Sequence, residues 1–342
     1  MNRRKALGLG AGLGAIALAG GYRALAANRG SDAPEAITIR AAAIPSLLPA
    51  DPARTRFGSL AFRSGLVLSS ETEGFGGLSG LWRSEDGTGL VAVTDHAMWL
   101  TARLTTEGGR LTGLSNAVLS PVRDVGGGPL RRTSAYDTES LAIADGVAYV
   151  GIERVHQVRR FEWARDGVDA RGTPIPVPSE AARLPANAGF EAVAVAPPGH
   201  PLAGAVIAIA EEASAGDEAP TLGWVLTGPR PFAFQVARAK GFAITDAAFL
   251  PEGDLLLLER RYRVATGAAC RLRRIAADAL GPDATIDGSV LFEADRTHEI
   301  DNMEGLALHR DPATAQTIVT LVSDNNFSPV QRTLMLEFAL EA

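Results

Sequence analysis

The sequence is poor in several residue types that mark particular protein classes. It has one cysteine, Cys270, among 342 residues. A single cysteine cannot form an intramolecular disulfide, and it excludes a thiolate-rich zinc site. An excess of basic charge is also lacking, because the net charge is −6 at pH 7. Binding to nucleic acid or to an anionic membrane surface is therefore not expected.

Long apolar runs and long helical periods are also lacking. The apolar stretch at residues 6–21 is shorter than the roughly 20 residues that a membrane span requires. No long segment has a persuasive helical period. Hydrophobic residues make up 46% of the chain and charged residues 21%, which is typical of a globular protein. We predict one domain over residues 35–342.

Residues 1–26 have the layout of an export signal. Basic residues, including the pair Arg3-Arg4, precede a glycine-rich apolar stretch, and Ala24-Leu25-Ala26 offers a small-x-small cleavage site. The arginine pair and the weak hydrophobicity favour the twin-arginine route, which carries folded proteins. We predict a cleaved signal and a periplasmic or secreted protein without a stable membrane span. An uncleaved anchor is the alternative.

A short phrase recurs five times along the chain, and successive copies lie 52 to 60 residues apart. The copies are Gly77–Leu81, Glu139–Ala142, Glu191–Ala194, Asp246–Phe249 and Glu304–Ala307. Each copy opens a series of about four short strands joined by Gly, Asp and Pro turns, which is the pattern of a β-propeller blade. We predict an all-β propeller of five blades, with a sixth possible in residues 34–75.

The two ends of the chain are predicted to close this propeller. The last repeat supplies only three strands, and the segment Leu60–Leu68 can provide the fourth. Pairing strands from both termini would remove the open sheet edges that invite aggregation.

Four of the five copies place a carboxylate at the start of the first strand, and the other copy has Ser79 there. The carboxylates are Glu139, Glu191, Asp246 and Glu304. Because the first strand of each blade lines the central channel, we expect them to face one mouth of it. The second strand is antiparallel and ends at the same mouth. Polar residues also stand there: Asp95, His96, Glu153, Arg154, Glu211, Glu212, Glu259, Arg260, Asp324 and Asn325.

Carboxylates this close together raise one another's pKa unless a cation neutralises them. The available ligands are oxygens, which suit calcium, and one histidine, His96, is too few for a histidine-based site. We predict a calcium ion held by Glu139, Glu191, Asp246, Glu304, Asp95 and Asn325. The alternative is structural, with each carboxylate accepting backbone hydrogen bonds at the start of a strand.

Two arginines directly follow acidic residues at the second-strand ends. A guanidinium suits recognition of phosphate or carboxylate, so Arg154 and Arg260 are candidates for binding substrate or stabilising developing charge. Glu153, Glu259 or Asp324 could act as the general base.

Several segments carry a family resemblance. They are Gly76–Leu81, Asp137–Ala142, Gly189–Ala194, Asn302–Ala307, and Leu321–Phe327 with Gln331–Thr333. In them the chain resembles the phytase-like family of exported bacterial proteins, labelled "esterase-like activity of phytase". The resemblance implies a propeller related to calcium-dependent phytases, which hydrolyse phosphate monoesters with bound calcium and an activated water. The chain lacks a dense lysine cluster of the kind that helps such enzymes hold phytate.

These features together predict an exported, monomeric hydrolase that acts on a small-molecule phosphate or carboxylate ester with the help of calcium. Two alternatives stay open. One is a calcium-dependent sugar lactonase, and the other is a non-catalytic binding propeller in the periplasm.

Overall fold

The computed structural model of the chain describes residues 30–212, 216 and 218–341, and the predicted export signal lies outside them. The described chain forms five β-sheets. Strands are numbered β1 to β24 along the chain. Each sheet is one blade, and its strands follow one another from the propeller axis outward in the order below.

Blade 1 contains β5 (Leu78–Arg83), β6 (Gly89–Thr94), β7 (Met98–Glu107), β8 (Arg110–Pro121) and β1 (Glu35–Ile37). Blade 2 contains β9 (Thr138–Ala144), β10 (Val147–Ile152), β11 (Gln157–Phe161) and β12 (Thr173–Pro174). Blade 3 contains β13 (Phe190–Val195), β14 (Val206–Ala210), β15 (Thr221–Val225), β16 (Phe232–Val236) and β20 (Thr285–Ile286).

Blade 4 contains β17 (Ala243–Phe249), β18 (Leu255–Arg263), β19 (Gly267–Ile275) and β21 (Ser289–Asp295). Blade 5 contains β22 (Asn302–Arg310), β23 (Thr317–Asp324), β24 (Thr333–Leu340), β4 (Leu60–Ser69) and β2 (Arg40–Ile44), with β3 (Arg56–Phe57) paired to β4.

The described helices are short. They are the helix α1 (Trp163–Asp166) and the 3-10 turns Leu130–Arg132, Gly167–Asp169, Ser179–Arg183 and Ala277–Ala279. Within the described residues, no helix has both the length and the apolar character needed to cross a bilayer.

The five inner strands form a closed ring around the axis. In chain order, each of β5, β9, β13, β17 and β22 contacts the next, and β22 contacts β5 again. The predicted closure is confirmed, because β24 pairs with β4 from Leu340↔Leu60 to Thr333↔Leu68. No sixth blade forms in the described N-terminal segment. Its strands β1 and β2 instead extend the outer edges of blades 1 and 5.

The hydrophobic core is divided into five clusters, one at each blade–blade interface. The alternation of side chains along a strand explains this division. In β18, Leu255 and Leu257 pack toward blade 3, whereas Leu256 and Leu258 pack toward blade 5. Each blade therefore buries both faces, and runs such as Leu255–Leu258 are apolar at consecutive positions.

Candidate functional site

Every inner strand has a β-bulge near its start, and the bulge sets the first ring of polar side chains. The register shifts leave Glu139, Glu191, Thr245 and Glu304 without a cross-strand partner, and in blade 1 they leave Ser79 and Gly80. Bulges re-aim side chains and are common beside active sites. The first ring thus has three carboxylates and two hydroxyls, all from buried residues.

The ends of the second strands supply a second ring at the same mouth. Backbone hydrogen bonds show which second-strand residues are equivalent in the different blades. The amides of Asp95, Glu153 and Glu211 each donate to the carbonyl oxygen of the residue two positions before the bulge of the inner strand. The pairs Arg260↔Ala243 and Asp324↔Asn302 give the corresponding positions in blades 4 and 5. Four acids and one arginine therefore form this ring: Asp95, Glu153, Glu211, Arg260 and Asp324.

Asp246 does not lie in the first ring, contrary to the prediction from the repeat. It follows the bulged Thr245, so its side chain leaves the strand on the other face. Its carboxylate accepts hydrogen bonds from the amides of Leu306 (2.7 Å) and Ala247 (2.8 Å). Burial raises the pKa of Asp246 well above its usual value, although these two bonds oppose the shift. Asp246 joins blade 4 to blade 5 and is not placed to hold a cation at the mouth.

Glu259 is also wrongly placed by the prediction from the sequence. It is fully buried, and Arg271 and Arg273 both bind its carboxylate through two nitrogens each, at 2.5 to 3.0 Å. Adjacent residues of a strand point to opposite faces, so Arg260 and not Glu259 faces the mouth. Both carboxylate oxygens of Glu259 are occupied by arginine donors in the interior, so Glu259 is not placed to act as the general base.

Arg260 is the cation that the chain itself places in the second ring. Its Nε lies 2.9 Å from Glu304 Oε1, and its Nη2 lies 3.1 Å from Glu211 Oε1. Burial alone would lower the pKa of Arg260, but the neighbouring carboxylates raise it above its ordinary value. Arg260 therefore balances the acids between blades 3 and 5, and the substrate-binding role predicted from the sequence stays a prediction.

The acids of blades 2 and 3 form two overlapping groups. Oxygens of Asp137, Glu139 and Glu153 lie within 4.8 Å of one another, and so do oxygens of Glu153, Glu191 and Glu211. Glu153 belongs to both groups. All five side chains are buried, so the low dielectric strengthens their mutual repulsion.

The residues present fit a hard divalent cation. The donors are all carboxylate oxygens, the ligand type that calcium and magnesium prefer. Asp137 is 2% exposed, and its Oδ2 accepts no hydrogen bond from any described residue. A buried carboxylate oxygen without a donor is costly, and a cation between Asp137, Glu139 and Glu153 would remove that cost.

The repulsion among the acids is clearest at the Glu191 carboxyl. Its pKa is raised well above the ordinary value, first by burial and then by the charges of Glu139, Glu211, Glu153 and Glu304. Without a cation, this carboxyl therefore favours its neutral form to a higher pH than an exposed glutamate.

Arg154 stands at the solvent side of the mouth. Its side chain is 46% exposed, and its Nη1 lies 4.0 Å from Asp137 Oδ2. Nη1 also donates to the Tyr136 hydroxyl at 2.7 Å, and the guanidinium lies 5.2 Å from the centre of that ring. Arg154 is thus held over the acidic groups with part of its guanidinium open to solvent.

The remaining predicted residues lie at the junction of blades 5 and 1. Asn325 Oδ1 accepts the amides of Gly77 (3.1 Å) and Phe327 (3.2 Å), so it links the two blades. Next to Asp95, the His96 ring stacks on Phe327 with 4.3 Å between ring centres. Asn325 is engaged in this contact and not in the acidic groups of blades 2 and 3.

The opposite end of the channel is lined mostly by apolar residues, together with Arg83. A cavity of about 170 Å³ is lined there by the far halves of all five inner strands, including Ile143, Val195, Phe249 and Leu308. Among the described residues, the grouped carboxylates around the propeller axis lie at the acidic mouth and not in the lining of this cavity.

Comparisons with known proteins agree with this architecture. The family model Phytase-like, described as esterase-like activity of phytase, matches residues 73–327. The chain belongs to the Phytase-like family. The match contains both acidic groups of this Phytase-like chain and the junction of blades 5 and 1. A search of curated proteins found no match.

Solved structures resemble the Phytase-like chain only distantly. A PQQ-bound aldose sugar dehydrogenase from Streptomyces coelicolor is 13% identical, with a TM-score of 0.38 and coverage of 90% of this chain and 100% of the other. A luciferin-regenerating enzyme is 10% identical, with a TM-score of 0.41 and coverage of 78% and 95%. The WD40 domain of Toxoplasma gondii coronin is 10% identical, with a TM-score of 0.39 and coverage of 91% and 89%.

Proposed function

We propose that this Phytase-like chain is a hydrolase of phosphate or carboxylate esters that works with a divalent cation, calcium, at the acidic mouth. The observation that supports the proposal best is the pair of carboxylate groups sharing Glu153. Family membership supports the ester class of substrate. The substrate is proposed to be a small molecule that enters from the solvent side of this mouth.

In this proposal Asp137, Glu139 and Glu153 hold the cation, and Glu191 and Glu211 extend the site toward blade 3. A bound divalent cation would supply Lewis-acid polarisation of the ester oxygen and a water of lowered pKa. Hydrolysis forms one bond from a water oxygen to phosphorus or carbon and breaks the ester bond, and the leaving alcohol takes a proton.

The chain's own residues supply binding and proton transfer. Arg154, with its exposed guanidinium, is proposed to bind the anionic or developing negative charge of the substrate. Asp324 is the proposed general base. It lies in the second ring, and its Oδ1 is held by the amide of Asn326 at 2.6 Å.

A panel of phosphate monoesters, carboxylate esters and sugar lactones tests this proposal, with turnover measured in calcium and in EDTA. Glu139→Gln should lose turnover at least 100-fold while its melting temperature in EDTA stays within a few degrees of wild type. The control Glu85→Gln alters an exposed residue at the far end of blade 1 and should keep full activity. Turnover confined to lactones would identify a lactonase, and calcium binding without turnover would identify a binding propeller.

We also propose that the chain is exported after cleavage of residues 1–26 and acts as a monomeric single domain, 35–342, in the periplasm or outside the cell. N-terminal sequencing of the mature protein should begin near Ala27. A full-length N-terminus on the exported protein, or a dimer mass in light scattering, would contradict these assignments.

A further inference from the structure

The β18–β19 hairpin of blade 4 extends beyond the acidic mouth. β18 pairs with the inner strand β17 only as far as Arg260↔Ala243, whereas Arg261–Arg263 pair with β19 alone. This hairpin is basic, although the mouth beside it is acidic.

Two guanidinium groups of the hairpin converge on one atom. Arg261 Nη1 and Arg263 Nη2 both donate to the backbone carbonyl of Lys240, at 3.1 and 3.2 Å. Arg261 Nη1 and Arg263 Nη2 therefore lie no more than about 6 Å apart, because both are hydrogen-bonded to the Lys240 carbonyl oxygen. No described carboxylate lies within 4.0 Å of the charged nitrogens of Lys240, Arg261 or Arg263. Like charges this close repel one another unless an anion lies between them.

Arg261 is held rigidly in this position. Its guanidinium carbon lies 4.5 Å from the centre of the Phe242 ring, and Arg271 lies 4.4 Å from the same centre. Arg271 is neutralised by Glu259, but Arg261 has a backbone carbonyl as its polar partner. A fixed guanidinium loses little side-chain entropy when it binds a ligand, so this arginine is preorganised.

The turn that carries Lys240 is strained. Lys240 has φ of +59° and is followed by Gly241 at +69°, so both residues occupy the left-handed region. Lysine rarely adopts this conformation, and such strain is concentrated at ligand sites. Glu218 Oε1 accepts the Lys240 amide at 2.8 Å and holds the turn. The strained turn directs its carbonyl to both arginines and exposes the Lys240 side chain beside them.

We propose that Lys240, Arg261 and Arg263 form a binding site for a phosphoryl group outside the acidic mouth. Two guanidinium groups and one ammonium group match the charge and the several acceptor oxygens of a phosphate dianion better than those of a carboxylate. This anion site does not depend on the proposed hydrolase function.

Inorganic phosphate is the probe that tests the site. Its affinity for the full chain should be measured by titration calorimetry in EDTA at low ionic strength, so that no cation at the mouth contributes. The double variant K240Q/R263Q changes two exposed side chains and should bind phosphate at least tenfold more weakly than wild type. The single variant R263K keeps the charge and should lose less.

The matched control is R110Q/R230Q, which removes the same charge from exposed positions beside turns at the far end of the propeller. It should bind phosphate within twofold of wild type. Equal phosphate affinity in K240Q/R263Q and the control, or no phosphate binding by wild type, would overturn the site. Acetate binding as tightly as phosphate would overturn the phosphoryl assignment. Because the measurement uses no cation and no turnover, failure of the hydrolase proposal leaves its result unchanged.

Discussion

At the scale of single residues, the position of a carboxylate relative to the bulge decides its role. Glu139, Glu191 and Glu304 occupy the bulge and contribute to the mouth. Asp246 follows the bulge by one residue and accepts two backbone amides in the interior. A carboxylate of the repeat thus serves the mouth in three blades, whereas in blade 4 it joins two blades.

Asp246→Ala should therefore lower stability without affecting cation binding. Two buried amides lose their acceptor, and each unsatisfied group costs roughly 1–3 kcal/mol, so we expect a loss of about 2–6 kcal/mol in the free energy of unfolding. Denaturant titration measures the loss, and calorimetry should give a calcium affinity within twofold of wild type. A stable variant with weakened calcium binding would instead assign Asp246 to the cation, as the repeat predicted.

Glu191 makes stability depend on pH. Its folded pKa is raised above the unfolded value of about 4.3, so the folded state binds more protons between these two pKa values. The free energy of unfolding in EDTA should consequently fall as pH rises through that window. The pKa of Asp86 is lowered to about 2, first by a hydrogen bond from Ser84. Asp86 therefore changes the free energy of unfolding only at lower pH, below the window set by Glu191.

Melting temperatures in EDTA at pH 5 and pH 8 test this prediction. Wild type should melt lower at pH 8, and Glu191→Gln, which cannot ionise, should show a smaller difference. An identical pH dependence in the two proteins would show that the acidic groups do not repel one another as their geometry indicates.

At the scale of strands, the sequence predicted the blades but not the local register. The repeated phrase identified five first strands because it marks the start of each one. A bulge adds one residue without a sequence signal, so Thr245 was missed and Asp246 was misplaced. β18 is longer than the second strands of the other blades and continues beyond the mouth. The position of its end therefore could not predict that Arg260, and not Glu259, faces the mouth.

Glu211 and Asp137 are visible in the sequence as polar neighbours of the repeat, but their grouping with Glu153 depends on the angle between blades 2 and 3. Close packing of the two backbones sets that angle, and Gly189 of blade 3 packs directly against Glu153 of blade 2. A Cβ there would lie 2.5 Å from the carbonyl oxygen of Glu153. Such contacts between blades are not encoded in any short pattern.

The pairing of β4 with β24 closes the molecule, and proline can test it. Val67 pairs with Leu334 on one side and Ala42 on the other. Val67→Pro removes a ladder hydrogen bond in the middle of the sheet and should cost about 3 kcal/mol or more. Ala36→Pro, in the exposed edge strand β1, should cost less than about 1 kcal/mol. Equal losses in denaturant titrations would argue against closure through β4.

At the scale of the whole molecule, the propeller is polarised along its axis. One mouth has two rings of polar side chains with an excess of acids, whereas the other end of the channel is lined mostly by apolar residues. Five blade interfaces hold this arrangement through separate hydrophobic clusters, so the repulsion among the acids is opposed by packing all around the ring. A cation at the acidic mouth would relieve that repulsion.

The most direct test of the cation claim is the melting temperature of the full chain as calcium is added after treatment with EDTA, for wild type, Glu153→Gln and the control Glu85→Gln. Wild type and Glu85→Gln should gain stability with calcium, by about 2.7 kcal/mol at 100 times the dissociation constant. Glu153→Gln should lose most of that gain, because it removes the carboxylate shared by both acidic groups. An unchanged wild-type melting temperature at millimolar calcium, or an equal gain in Glu153→Gln, would contradict the account.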